Sequence, residues 1–353
     1  MAHRIIQPLP CPQEILERYP STSEHRVQEH QRNICRIQDG TDQRLLMVIG
    51  PCSAWPLDCV EQYAERLARV QEDVRERLFL VLRTYIQKPR TTIGWPGPLT
   101  QPDPRPSARA DINRGIVECR KMLWTTGKLL PLADEMLFTH NGAYFDDLLS
   151  YLALGARSSS DQEHRFIASG LDCPIGVKNS VDGNIEVGVD GVQCVQHPHE
   201  FPWRGNQVAT DGNPLAHLIL RGGKSGSNYD PRSMASASKM LRDPKRKIVH
   251  PMIVVDASHD NCQNGHGKDP KLQPHVVRTV MSAKRDGIEG YDLVKGFMVE
   301  SFLQHGAQPI SENMRTDGQS ITDPCLGWED SQRLIFSTAD AIDRLLGRSA
   351  ACD

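Results

Sequence analysis

The chain has 353 residues, with 41 basic and 44 acidic side chains, a net charge of −3, 39% hydrophobic and 24% charged residues. That balance excludes an intrinsically disordered chain and argues against a general nucleic-acid surface, so any anionic ligand must meet a local cluster of Arg and Lys. The ten cysteines are irregularly spaced with no C-x-x-C pair, which excludes a disulfide framework or a zinc-finger pattern; with no apolar leader and no run of about 20 apolar residues, the chain is expected in a reducing cytoplasm and not in a membrane.

Residues 1–44 are polar and carry two Pro-containing turns. "CPQEILERYP" and "SEHRVQEHQRNICRIQDG" predict two short helices, read as an N-terminal arm or cap. From Leu45 onward, eight β-rich runs alternate with amphipathic stretches. The runs are 45–53, 78–85, 129–136, 153–160, 175–179, 217–224, 252–259 and 296–301. Segments such as "VEQYAERLARVQEDVRERL", "NRGIVECRKMLWTTG", "PHVVRTVMSAKRDG" and "WEDSQRLIFSTADAIDRLL" read as the intervening helices. Strand–helix alternation implies a parallel sheet with crossover helices. Eight such units predict a closed (β/α)8 TIM barrel over residues 45–348. Residues 185–216 and 260–275 are rich in Gly, Asn and His and read as long loops over a barrel mouth.

Active sites of such barrels sit at the C-terminal ends of the strands. The ends of the eight runs carry Cys52, Arg83, Glu135, Arg157, Lys178, Arg221, His259 and Glu300. Unpaired charge is costly there, so each residue is either salt-bridged under a loop or part of a site. Arg83, Arg157, Lys178 and Arg221, joined by Lys88 and Arg90 of "QKPRTT", form a converging cation group that calls for one or two small, multiply anionic molecules. Cys52, His259 and Glu300, with Asp323 of "SITDPCLGWED", make a possible four-ligand divalent metal site whose mixed donors suit Mn, Fe, Co or Zn better than Mg or Ca. These four lie far apart in sequence, so the reading depends on the barrel. A Cys52–His259 nucleophile pair is the competing reading, and it leaves Glu300, Asp323 and the cations without a role. His197 and His199 form a His-x-His that could bind metal, though "QHPHEFPW" reads more simply as an exposed loop.

The stretches "VIGPCS", "LRTYIQKPRTTIGWPG", "ADINRGI", "LGARSSSDQEHRFIASGLDCPIGVKNSVDG", "HLILRGGK", "VVDASHDN", "GFMVESFL" and "GQSITDPCLGWED" closely resemble type I 3-deoxy-D-arabino-heptulosonate 7-phosphate (DAHP) synthases of the aromatic-amino-acid-regulated branch. The resemblance runs in order from about residue 10 to residue 346, and "KPRTTIGWPG" with "GARSSSDQEHR" is its most specific part. It implies a barrel enzyme that condenses phosphoenolpyruvate with erythrose 4-phosphate, the first step of the shikimate pathway. It also implies that Cys52, His259, Glu300 and Asp323 hold the metal and that Arg83, Lys88, Arg157, Lys178 and Arg221 contact phosphoenolpyruvate. Arg90 and Thr91 would contact the aldose phosphate, with Ser158 a weaker candidate, and Glu135 would stand near the reacting carbon. A homodimer or homotetramer is expected on the same ground.

Departures from the family pattern include Ala54-Trp55-Pro56 where Ile-His-Asp is usual, and Gln87, Ala257 and Phe302. They leave open a different phosphorylated aldehyde in a secondary pathway; a catalytically silent regulatory paralogue is the other alternative, although no ligand or anion-binding residue is missing. Phe138, Gly142, Ala143, Asp172 and Trp203 alter the region where relatives sense Phe or Tyr. An added carboxylate and indole predict weak or absent inhibition by these amino acids.

Overall fold

The computed structural model describes residues 3–347; residue 348, the expected end of the barrel, lies outside them. The order of elements is α1 (Pro12–Arg18), α2 (Val27–Asp39), β1 (Leu45–Gly50), α3 (Leu57–Val74), β2 (Leu78–Arg83), α4 (Ile112–Thr126), β3 (Leu132–Glu135), β4 (Tyr151–Leu154), α5 (Gln162–Ala168), β5 (Ile175–Lys178), α6 (Ile185–Val195), β6 (His199–Trp203), β7 (Asn206–Thr210), β8 (Ala216–Leu220), α7 (Pro231–Leu241), β9 (Ile253–Asp256), α8 (Gln273–Arg285), β10 (Val294–Glu300) and α9 (Trp328–Leu345). Eight parallel strands close in the order β1-β10-β9-β8-β5-β4-β3-β2, the expected (β/α)8 barrel.

Alternation along the strands divides the apolar residues between two cores. Leu46 and Val48 of β1, Tyr151 and Ala153 of β4, Ile219 of β8, Val254 of β9 and Met298 of β10 fill the barrel interior. Their neighbours Met47, Ile49, Leu152, Leu218, Val255 and Val299 face outward and pack with the helices. A strand buried on both faces reads as a near-continuous apolar run, which is why these segments stand out in the sequence. Ile34 and Ile37 of α2 belong to the interior cluster. Thus α2 plugs the N-terminal end of the barrel, where Lys295 Nζ donates to Gln38 O at 2.7 Å and Gln38 Nε2 donates to His250 O at 3.2 Å.

The β3–β4 connection has no α-helix, only two 3-10 turns at Thr139–Tyr144 and Asp146–Leu148. The N-terminal segment lies against it. Tyr144 donates to Pro10 O at 2.9 Å. The fully buried Arg120 donates to Tyr19 O, to Tyr144 O and to Asp147, joining the segment, α4 and the turns.

The strands are mostly shorter than the expected runs, and two regions differ most. The run 153–160 supplies only the end of a strand that begins at Tyr151, because the chain turns at Gly155. Residues 185–216, expected as loop, hold α6 and the antiparallel hairpin β6–β7, paired from His199↔Thr210 to Trp203↔Asn206. The glycines of α6 disguise it. A Cβ at Gly188 would lie 2.6 Å from Leu218 Cδ1, and one at Gly191 would lie 2.7 Å from Val177 Cγ1, so both are there to let α6 approach β5 and β8. No described helix is long and apolar enough to cross a membrane.

Candidate active site

Four strands end directly on site side chains: β2 on Arg83, β3 on Glu135, β5 on Lys178 and β10 on Glu300. Cys52, Arg157, Arg221 and His259 follow β1, β4, β8 and β9 by one to three residues, and Asp323 lies in the β10–α9 connection. The strand pairing that closes the barrel sets Gly50 beside Glu300 and so brings Cys52 to the carboxylate. Gln273 at the start of α8 clamps the Glu300 backbone with two hydrogen bonds of 2.9 Å. Ser53 and Thr322 hydroxyls meet at 2.9 Å and join the Cys52 turn to the Asp323 loop.

The ligating atoms of Cys52, Glu300 and Asp323 lie within 4.8 Å of one another. His259 stands at the edge of this group, with Nε2 3.7 Å from Glu300 Oε1. Its φ of 54° is a costly conformation for a non-glycine residue. The other ring nitrogen, Nδ1, lies 2.9 Å from Asp256 Oδ2, a carboxylate–imidazole contact of the kind that orients metal-binding histidines. Burial pushes the Cys52 thiol up to about 11, and Glu300 adds to this while Lys88 opposes it. Burial also lowers His259, against the pull of Asp256. Asp323 is held well below the usual carboxylate range despite its burial, chiefly by Lys268.

Beside this group is a cavity of about 600 Å³ lined by nine of the twelve expected site residues: Cys52, Lys88, Arg90, Glu135, Arg157, Lys178, Arg221, His259 and Asp323. Lys88 Nζ donates to Cys52 O at 2.8 Å and lies 3.3 Å from its Sγ. Burial opposes the charge on Lys88, but Cys52, Glu135 and Glu300 raise its pKa overall. Glycine at residue 155 leaves room for the Glu135 carboxylate in this orientation: a Cβ there would lie 1.9 Å from Glu135 Oε1.

Arg83, Thr91 and Glu300 are not on the cavity wall. Arg83 is completely buried, stacks over Tyr85 at 4.0 Å, and places Nη2 3.2 Å from Glu300. Its Nη1, like Nε of Arg221, is buried without a hydrogen-bond partner. Thr91 instead accepts from the Arg157 guanidinium at 2.9 and 3.1 Å.

Three charged residues escaped the sequence reading. Lys268 lines the cavity and lies 2.5 Å from Asp323. Asp256 is fully buried between His259 and Lys178, 3.3 Å from the lysine ammonium. Asp260 pairs with Arg221. The two acids flank the "ASH" of strand nine, and an acid on the last residue of a buried strand was the available signal. Lys268 sits in a Gly-rich loop with nothing to mark it.

The departures from the family pattern lie behind the wall. Ala54, Trp55, Pro56, Gln87, Ala257 and Phe302 are buried and line no part of the cavity. Trp55 packs with Trp95 and Ile321, which ties together the loops carrying Cys52, Arg90 and Asp323. Gly142, Ala143 and Trp203 line a different cavity of about 1020 Å³ between the β3–β4 turns, α5 and the hairpin. Phe138 lines a narrower space beside it, and Asp172 lines neither.

This wall of cations facing an S/O/O donor group can neutralise a small polyanion next to a divalent ion. Comparisons with known proteins agree on one lineage. The profile described as "DAHP synthetase I family" matches residues 21–335. Trp-sensitive phospho-2-dehydro-3-deoxyheptonate aldolase of Escherichia coli (strain K12) is 39% identical over 350 residues, covering 96% of each chain. Its counterpart in Buchnera aphidicola subsp. Schizaphis graminum is 39% identical over 347 residues, again 96% of each. A solved phospho-2-dehydro-3-deoxyheptonate aldolase from Francisella tularensis SCHU S4 superposes with a TM-score of 0.89 at 31% identity, covering 99% of this chain and all of that one.

Proposed function

From the premise that the chain belongs to the DAHP synthetase I family, we propose that it condenses phosphoenolpyruvate with erythrose 4-phosphate to give DAHP and phosphate. The observation that carries this reading is the convergence of Lys88, Arg90, Arg157, Lys178, Arg221 and Lys268 on one cavity, with Arg221 Nε buried and without an acceptor. A buried donor without an acceptor is costly, and an anion is what would satisfy it.

Phosphoenolpyruvate is placed against Arg83, Lys88, Arg157, Lys178 and Arg221, and the aldose phosphate against Arg90 and Thr91 near the mouth. In the reaction, C3 of phosphoenolpyruvate bonds to the aldehyde carbon, water adds at C2, and the C2–O bond to phosphate breaks. Lys88 is positioned to protonate the new alkoxide, and Glu135 to orient the water. The cations stabilise negative charge as it moves along this path. The donor set of Cys52, His259, Glu300 and Asp323 fits one Mn, Fe, Co or Zn ion, which when bound supplies Lewis-acid polarisation of the aldehyde oxygen. Arg83, seated under Glu300, positions that carboxylate as well as meeting the anion.

We place the enzyme in the cytoplasm as a homodimer or homotetramer, with weak or no inhibition by Phe and Tyr. The test is a phosphoenolpyruvate-consumption assay with erythrose 4-phosphate and other phosphorylated aldehydes, before and after chelation. Metal-dependent turnover is expected, fastest with erythrose 4-phosphate. Faster turnover of another aldehyde would reassign the acceptor, and no turnover with any after metal reconstitution would overturn the reading. In the same assay, micromolar inhibition by Phe or Tyr would refute the proposed insensitivity.

A further inference from the structure

The His-x-His of the sequence does not reach the active site. His197 lies just after α6 and His199 at the start of β6, and both line a cavity that shares no residue with the cation-lined one. The structure adds a third group to them. Cys194, in the last turn of α6, places Sγ 3.6 Å from His199 Nε2. The two histidine rings are 5.5 Å apart and nearly perpendicular, at 78°.

We propose that Cys194, His197 and His199 form a second transition-metal site, for a borderline or soft ion such as Zn2+ or Co2+. With metal–sulfur and metal–nitrogen bonds of about 2.3 and 2.05 Å, tetrahedral ligation sets sulfur and nitrogen about 3.6 Å apart. Cys194 and His199 already have that spacing. The ring of Phe166 lies 4.4 Å from that of His199, and Phe201 stacks on Phe166 at 5.3 Å, so His199 is backed by a wall that limits its rotation. Pro198 separates the histidines and stiffens the link between them. The ring nitrogens of His197 stand outside ligating distance of the other two, and because His197 is exposed its ring must turn to complete the set.

Binding requires two local changes. The Cys194 thiol, raised by burial, loses its proton to solvent. His199 Nε2 gives up its 2.8 Å contact with Cys194 O and presents a lone pair to the ion, its ring proton moving to Nδ1. Arg246, in the same cavity, is neutralised by Asp190 at 2.5 Å and Glu186 at 3.3 Å. Lys245 and Lys247 remain exposed there and favour an anion or hydroxide in the fourth position. The consequence is mechanical: the ion would tie α6 to the hairpin that walls the 1020 Å³ cavity.

The experiment titrates the full-length chain with Co2+ or Zn2+ and compares wild type with Cys194→Ser and His197→Ala. Wild type is expected to bind one equivalent more than Cys194→Ser, whatever the active site takes up. It is also expected to show an additional thiolate-to-cobalt charge-transfer band, absent from the variant. Zn2+ should slow alkylation of Cys194, read by mass spectrometry, at least tenfold in wild type and less in His197→Ala. Because His197 is exposed, that variant keeps the comparison valid should Cys194→Ser fold poorly. Equal stoichiometry in wild type and Cys194→Ser, or alkylation of Cys194 unchanged by Zn2+, would overturn the proposal.

Discussion

At the N-terminal end of the barrel, α2 seats Ile34 and Ile37 among Leu46, Val48, Phe79 and Met252. At the C-terminal end, the same strands run out into Arg83, Glu135, Lys178 and Glu300. One end is closed by apolar burial and contributes stability. The other buries charged side chains, many of them paired, and leaves arginine donors unspent, an arrangement that costs stability and suits ligand binding. The difference teaches that a single strand can serve both ends: its interior residues are chosen for packing, its last residue for charge.

Substitutions should separate the two ends. The largest effect on function is expected from Lys88→Met, which should lower kcat/KM about 100- to 1000-fold with little change in melting temperature. Full turnover in this variant would remove Lys88 as proton donor. Ile37→Ala at the opposite end should do the reverse, costing about 2–4 kcal/mol in denaturant unfolding while the folded enzyme keeps its kcat. A loss of kcat without a loss of stability would break the division of labour. Asp256→Asn is intermediate, since Asp256 acts through His259. It should weaken metal affinity about 10- to 100-fold, measured by competition with a chelator.

The effect that is smallest near neutral pH is the acid sensitivity of the closed end. His217 lies inside the barrel, its Nδ1 donating to Leu215 O at 3.0 Å and its Nε2 accepting from Tyr151 at 2.8 Å, which fixes the neutral form. Burial lowers its pKa to about 4. Burial lowers His30 of α2 to about 4 as well, with Arg26 adding to the effect. The unfolded chain, with histidines near about 6.5, binds more protons between the two values. The contribution is therefore fully present above pH about 6.5 and is lost as pH falls toward about 4, by about 1 kcal/mol per histidine per pH unit. Melting temperature against pH should show this limb, and His217→Gln should flatten it. An unchanged limb in that variant would assign the acid sensitivity elsewhere.

Much of this was legible in the sequence. Eight apolar runs at strand spacing define the barrel, because a strand buried on both faces leaves no polar alternation to confuse it. The charged residues at their ends mark the functional face, since such positions tolerate charge only for a reason. What resembled loop at 185–216 was a glycine-bearing helix and a hairpin. There the glycines answer to Leu218 and Val177, residues of neighbouring strands that local sequence does not display. Asp256, Asp260 and Lys268 were passed over for the same reason: their importance lies in the partners they meet.

Sequence by itself determined which residue types stand at the strand ends and which strands exist, because periodicity and composition are local properties. Only the tertiary structure decided what those residues touch. Cys52 and Glu300 are 248 positions apart and become neighbours when β1 pairs with β10, with Gly50 opposite Glu300. That closure sets the distance between a thiol and two carboxylates, buries Arg83 beneath them, and leaves its Nη1 without a partner. Distances and unmet hydrogen bonds belong to the closed barrel, not to any segment of the chain.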